Sequence, residues 1–403
     1  MIMGRGLMDS ESRNEKVRAV GAALFYLGLG IWLSWRVLGT TMYAFPDGSI
    51  LNTLIHFLSL ALIALSVTCW LREWRLALIG AVAFMLSAVC WANSGNSVLL
   101  DTVVIVFASL PRRPRRVIAL FLAVTSLVVA ITVVSSQLGI IGDYVWLRSN
   151  GEEVRHGLGF LYCTFPAHYL FFLTMAYSYL RKGELRLVEC ALIILLDIYF
   201  YLLTDSRNPF LLTLLFVIAI MCLRFKGVRK FFSIGQWRYA LCGLFVIFAV
   251  LSATASLAFD SANPLWATAN DVLSGRLIQT NASINRYGVK LFGQEIDLAG
   301  NGLVAQADGT FRVEEDGVDT NFVDNAYMSS LIHSGVVSTL LILAMMTAIC
   351  WHAVTHKDPT LLIISVFIAV HALVDPQALE LNYNAFLLVA AMPLKELYSG
   401  GDI

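Results

Sequence analysis

Charge is scarce in this chain. Only 14% of its 403 residues are Asp, Glu, Lys or Arg, while 58% are hydrophobic and mean hydropathy is +0.73. Soluble domains carry about 25% charged residues, so that class is excluded. Nucleotide and metal motifs are missing as well. There is no P-loop, no G-x-G-x-x-G, no H-E-x-x-H and no EF-hand loop. No nucleic-acid-binding motif occurs, and no outer segment holds a D-x-D that would seat a divalent ion beside a diphosphate. ATP-driven and metal-centred chemistry therefore have no local support, and no cofactor, metal or nucleic-acid partner is expected. The seven cysteines (69, 90, 163, 190, 222, 242, 350) form no C-x-x-C pair and are odd in number. They read as small buried hydrophobes. No internal repeat, Pro-rich linker or low-complexity stretch divides the chain, so 1–403 is read as one domain.

What is present is apolar length. A bilayer-crossing helix needs roughly 17–25 apolar residues, and lipid leaves only helices or closed barrels. Runs this continuous exclude the alternation of a barrel strand. The expected class is an all-α polytopic membrane protein. About twelve spans are expected, at Val20–Trp35, Leu51–Leu71, Leu76–Trp91, Val98–Leu110, Val117–Gln137, Gly157–Leu180, Leu187–Leu203, Pro209–Leu223, Tyr239–Leu257, Tyr327–Cys350, Leu361–Leu373 and Ala385–Leu394. The first run shows no convincing small-residue cleavage site and is read as a retained span. With both termini in the cytoplasm, 20 of the 28 Lys and Arg fall inside, including PRRPRR and RFKGVRK. That bias follows the positive-inside rule.

The outer side then holds Arg36, Arg148, Arg155, Arg207, Arg276, Arg286, Lys290 and Arg312. Two outer segments are large, 139–156 and 258–326, and loops above about 15 residues are usually functional or disordered. Trp266–Lys290 has Leu and Ile at helical spacing and predicts one or two short helices on the membrane. "LVAQADGTFRVEE" reads as a hairpin. Arginine grips phosphate through a planar fork, so outer arginines drawn from three loops suit a diphosphate. The competing reading is scattered ion pairs with Glu152, Glu153, Asp205, Asp271, Glu314 and Glu315, each worth below about 1 kcal/mol. His56, His168, His333 and His371 fall within spans, mostly toward the outer half, as do Asp101 near an outer end and Asp197 at mid-span. Single polar groups there are more often satisfied packing residues. A chain of them would serve a proton-coupled transporter. In "LTDSRNPFLL", Asn208 and Pro209 predict an N-cap and N1 proline for the following helix.

Five short segments, in order, resemble the Wzy-type O-antigen and capsular polysaccharide polymerases. "YLLTDSRNPFLL" is similar to their T-x-S-R segment. "VRHGLGFLYCTFPAH" is similar to an R…LGF…P-N segment, with Ala167 where the asparagine stands. "LSGRLIQTNASINRYGVKLFG" resembles the large-loop segment, "VDNAYMSSLIHSG" the D/H-N-x-Y-L…G opening of a span, and "NYNAFLL" the late N-x-F-L-L. The resemblance runs from about Arg148 to Leu388, while the first 140 residues match only as spans. It implies a GT-C-like glycosyltransferase in the bacterial plasma membrane that moves a growing glycan from undecaprenyl diphosphate onto a fresh lipid-linked repeat unit. A chain-length regulator and a flippase are the protein partners it implies. The related O-antigen ligases carry His where this chain has Asp324, which leans toward polymerase. On this reading Arg207, Arg276 and Arg155 hold the diphosphate, with Arg286 and Arg148 in support. Asp324 is the first choice as base and His333 the second, between two and three helical turns further along. Asn325 either orients a sugar hydroxyl or caps a helix. Tyr327 either stacks on a sugar or sits in an interfacial belt.

Overall fold

The structure is a computed structural model that describes residues 2–44, 49–147, 154–297, 300, 303–305, 310–313 and 321–398. The first half is a run of helices: α1 (Ile2–Leu38), α2 (Ile50–Thr68), α3 (Trp74–Ser94), α4 (Val98–Ser109) and α5 (Pro114–Gln137). A small hairpin of β1 (Val145–Leu147) and β2 (Val154–His156) follows, then α6 (Phe165–Leu180), α7 (Leu187–Thr204) and α8 (Arg207–Cys222). The chain continues through α9 (Lys226–Ile234), α10 (Arg238–Leu241), α11 (Leu244–Ala258), α12 (Pro264–Val272) and α13 (Arg276–Tyr287). Next come a second hairpin, β3 (Leu303–Ala305) with β4 (Phe311–Val313), then α14 (Ala326–Ser329), a π-helical turn at Ser330–Ser334, and α15 (Gly335–Thr355). The end comprises α16 (Pro359–His371), 3₁₀ turns at Pro376–Leu379 and Ala385–Ala390, and α17 (Ala391–Tyr398).

This is an all-α membrane protein. Among the described residues, six helices are long and apolar enough to cross a bilayer: α1 from Asn14, α2, α3, α5, α7 and the continuous Ala326–Thr355 rod. α4, α11 and α16 are shorter apolar helices, and α9 turns by 100° from α8. Large apolar side chains remain exposed along the helices, among them Leu54, Phe57, Leu127, Ile131, Leu195, Leu202, Leu215 and Leu251. In water such a surface would aggregate; in lipid it is the solvent-matched face.

Local chemistry explains the helix starts. Ser49 caps α2 by accepting from Asn52 N, Asn263 caps α12 ahead of Pro264, and Asp358 caps α16 ahead of Pro359. Three expected boundaries differ. α6 begins at Phe165, not Gly157, because Leu158 and Gly159 have positive φ (52° and 82°). There the chain pairs instead with the end of α1: Met42 N donates to Gly159 O, and Leu161 N to Thr40 O. α8 begins at Arg207 with Ser206 as cap, so Asn208 and Pro209 lie within its first turn. The shift follows from Asp205, which takes the left-handed conformation (φ 44°) that ends α7. The last expected span opens as a 3₁₀ turn, because the Asn384 side chain accepts from Phe386 N and donates to Ala378 O.

Polar groups inside the helical body are mostly paired. Asp101 accepts from Trp32 Nε1 (3.1 Å) and meets His56 Nε2 (2.9 Å), tying α4 to α1 and α2. Asp197 is buried on α7, and its carboxylate oxygens have no hydrogen-bond partner among the described residues.

Candidate functional site

The sequence places Arg276 and Asp324 far apart, and the fold brings them together. Arg276 opens α13 just after Gly275, whose φ of 83° turns the chain out of α12. Leu277, Thr280 and Ser283 form the buried stripe of α13 at helical spacing. Ile284 and Tyr287 pack against a small cluster of Val323, Met328 and Ile332, which seats α13 on α14. So placed, Arg276 Nε donates to the backbone oxygens of Asp324 (3.1 Å) and Val374 (2.9 Å), and Nη1 donates to Leu273 O (3.1 Å). Its Nη2 lies 3.9 Å from Asp324 Oδ2. That is an ion pair beyond hydrogen-bond reach. Arg276 is 13% exposed and Asp324 43% exposed, so the guanidinium is largely buried while the carboxylate reaches the edge of solvent. The Asp324 carboxyl is pushed up to about 6, first by burial and then by Asp375; Arg276 and His168 oppose the shift.

Behind this pair runs a buried chain. Asp375 Oδ1 lies 3.4 Å from His168 Nε2, and His168 Nδ1 lies 2.9 Å from His371 Nε2. All three residues are buried, and their ligand atoms lie within 4.8 Å of one another. His168 turns Nδ1 to His371 and Nε2 toward Asp375, so the three form a buried relay behind the pair. On the other side stands an aromatic wall: Tyr144, Trp146, Tyr162 and Phe165 meet edge to face, with ring centroids 4.6–5.8 Å apart. Arg155, Asp324 and Asp375 all lie within charge–charge reach of the Tyr162 hydroxyl.

Arg155 and Arg207 share the α7–α8 corner. Arg155 Nε donates to Thr204 O (2.9 Å), the end of α7. Arg207 is 54% exposed and has Asp205 as one partner, at 3.3 Å. Arg286 sits at the far end of α13, about 15 Å along the axis from Arg276. It is exposed and lies over the Tyr287 ring at 5.2 Å. Arg148 lies outside the described residues.

The remaining expected residues are placed as follows. Asn325 caps α14 by accepting from Met328 N, and its amide donates to Ser252 Oγ and Leu373 O. Tyr327 is 1% exposed and donates to Ala369 O. Its ring belongs to the core, not to an interfacial belt, and offers no face to a sugar in this conformation. His333 lies in the π turn, where it lines a cavity of ≈ 50 Å³ with Asn96, Ser330 and Glu380; Asp324 is not among the lining residues.

Two glycines hold the 288–297 segment against the π turn. Gly293, the last letter of "KLFG", has φ +87° and Gly335, the last of "IHSG", has φ +86°. A Cβ on Gly335 would stand 2.1 Å from Gly293 N, so the two backbones touch where no side chain fits. Gln294 N donates to His333 O, Val336 N to Lys290 O and Val337 N to Leu291 O across this contact.

Sequence reasoning passed over Asp375 and Tyr162. The signal for Asp375 was its position four residues after His371 and just before Pro376, an acid closing an apolar run. Tyr162 carried none beyond its aromatic neighbours. Compared with protein-family models, curated proteins and solved structures, the chain matches none. Fold and site together define a helical membrane protein with a paired guanidinium and carboxylate at a solvent-open edge.

Proposed function

We propose that this chain is a polysaccharide polymerase of the Wzy type, working on the outer face of a bacterial plasma membrane. It takes the glycan from undecaprenyl diphosphate and joins it to the terminal sugar of a second lipid-linked repeat unit. On this reading the six long helices, α4, α6, α8, α11, α16 and the 385–398 segment make twelve crossings, with both termini in the cytoplasm. Arg276 beside Asp324, with Tyr162 within charge reach of that carboxylate, is the observation that supports the reading most directly.

The chemistry balances without ATP or an added metal. The acceptor hydroxyl gives its proton to the Asp324 carboxylate, and its oxygen forms the new bond to the anomeric carbon. The bond from that carbon to the phosphate oxygen breaks, and the diphosphate leaves with the electron pair. Charge grows on the diphosphate in the transition state, and one preorganised donor at such a charge is worth about 3 kcal/mol. Arg276 is preorganised by three backbone oxygens. Arg155 and Arg207 add positive charge from the α7–α8 corner. A carboxyl at about 6 is ionised at neutral pH yet a stronger base than an ordinary aspartate. Trp146 and Tyr162 offer faces suited to sugar rings.

Purified protein incubated with an undecaprenyl-diphosphate repeat unit, without ATP or added metal, tests this reading. It predicts a ladder of lengthening chains. Product only with a distinct acceptor would mark a ligase, and lipid crossing vesicles without any product would mark a flippase or transporter.

A further inference from the structure

The structure assigns a zinc-type metal site to His352, His356 and Glu396, at the end of α15 remote from Arg276 and Asp324. Some 28 residues of helical rod separate His352 from Asp324, roughly 40 Å at 1.5 Å per residue. The site is thus independent of the proposed transfer reaction. His352, in the last turn of α15, and His356, its C-cap, stand four apart along the chain, and Glu396 reaches them from α17. His352 Nδ1 and His356 Nε2 lie 3.1 and 3.3 Å from the same oxygen, Glu396 Oε1, and the three atoms fall within 4.8 Å of one another.

His356 Nδ1 lies 3.1 Å from the carbonyl oxygen of His352 and 3.2 Å from the Thr355 hydroxyl, which leaves Nε2 as the nitrogen turned to Glu396. A backbone carbonyl fixing the distal nitrogen in this way is the usual support of a metal-bound histidine. His352 is 4% exposed, and its Nδ1 makes no hydrogen bond among the described residues although it faces the same carboxylate oxygen. The two spacings to Glu396 Oε1 are compatible with a shared ion, since neighbouring ligand atoms of a tetrahedral zinc lie about 3.4 Å apart at bonds near 2.1 Å. Two imidazoles and a carboxylate suit zinc. The half-exposed His356 and Glu396 leave the fourth position to solvent. Bound metal would clasp α17 to α15.

The full chain, purified through a histidine-free tag, stripped with chelator and dialysed against zinc, should hold about one zinc per chain by elemental analysis. Cobalt in its place should give the visible absorption of a tetrahedral site. Loss of supporting residues alone weakens metal sites 10–100-fold, so H356Q and E396Q, both at exposed positions, should each weaken zinc binding by at least ~100-fold. Their elution as monodisperse protein separates lost ligation from misfolding. Absence of stoichiometric zinc in the parent protein overturns the assignment. So does zinc retained in E396Q but lost in H168Q, which would place the metal in the relay.

Discussion

Replacing Gly293 by alanine tests whether the 288–297 segment is locked to the π turn. The new Cβ would stand 2.5 Å from His333 O and 2.9 Å from both Ser334 C and Ser334 O. All three are backbone atoms, so no side-chain rotation relieves the clash. The φ of +87° adds about 1–2 kcal/mol for an L-residue. Relief requires the segment to lift away, which breaks the bonds from Gln294 N to His333 O, Val336 N to Lys290 O and Val337 N to Leu291 O. At about 1 kcal/mol each, the total cost comes to about 4 kcal/mol. That corresponds to roughly a thousandfold rise in local opening. Gly95 is the matched control, with a φ of +69° and nothing within 4 Å of its Cβ. G95A should cost only the backbone term, about 1 kcal/mol. Hydrogen exchange read by mass spectrometry should show G293A losing protection in peptides 288–297 and 330–340, with G95A unchanged there. Wild-type protection in G293A would refute the docking role of the two glycines.

Three further outcomes are expected. Asp324 must be unprotonated to act as base, so initial rates should fall about tenfold per pH unit as pH drops below about 6, and D324N should lose most activity and show no such limb; a flat wild-type profile from pH 5 to 8 would remove Asp324 as base. R276K should lose about 100-fold or more in rate, because a lysine cannot bridge the oxygens of Asp324, Val374 and Leu273 while facing a phosphate; a loss under threefold would contradict a positioned guanidinium. D101A strands Trp32 Nε1 and His56 in the helical body and should cost about 2–4 kcal/mol, read as a lower unfolding midpoint in detergent; an unchanged midpoint would mean that water replaces the carboxylate.

Much of the fold was legible because span formation depends on composition, which a sequence displays directly. Ser49, Asp358 and Pro114 each mark a helix start by their own local chemistry. Boundaries failed where backbone conformation overrode composition. "GLGFLYCTF" is as apolar as a span, yet positive φ at Leu158 and Gly159 folds it over the end of α1. In the site, Arg276 and Asp324 could each be named, but 48 residues separate them, and their contact depends on how α13 docks. Tyr327 illustrates the opposite error. Its sequence context suggested a sugar-stacking ring or an interfacial belt residue, whereas the turn of α14 carries its ring into the core. Asp375 stayed hidden because its role comes from His168, which lies more than 200 residues earlier.

The most direct test is single-turnover transfer with a synthetic undecaprenyl-diphosphate repeat unit, free of ATP, comparing the parent protein with R276A and D324N. The proposed chemistry predicts chains of two or more units from the parent protein, and at least about 100-fold slower first transfer in each folded variant. A parent protein that forms no longer chain from its cognate substrate, or variants that extend chains at the parent rate, would contradict it.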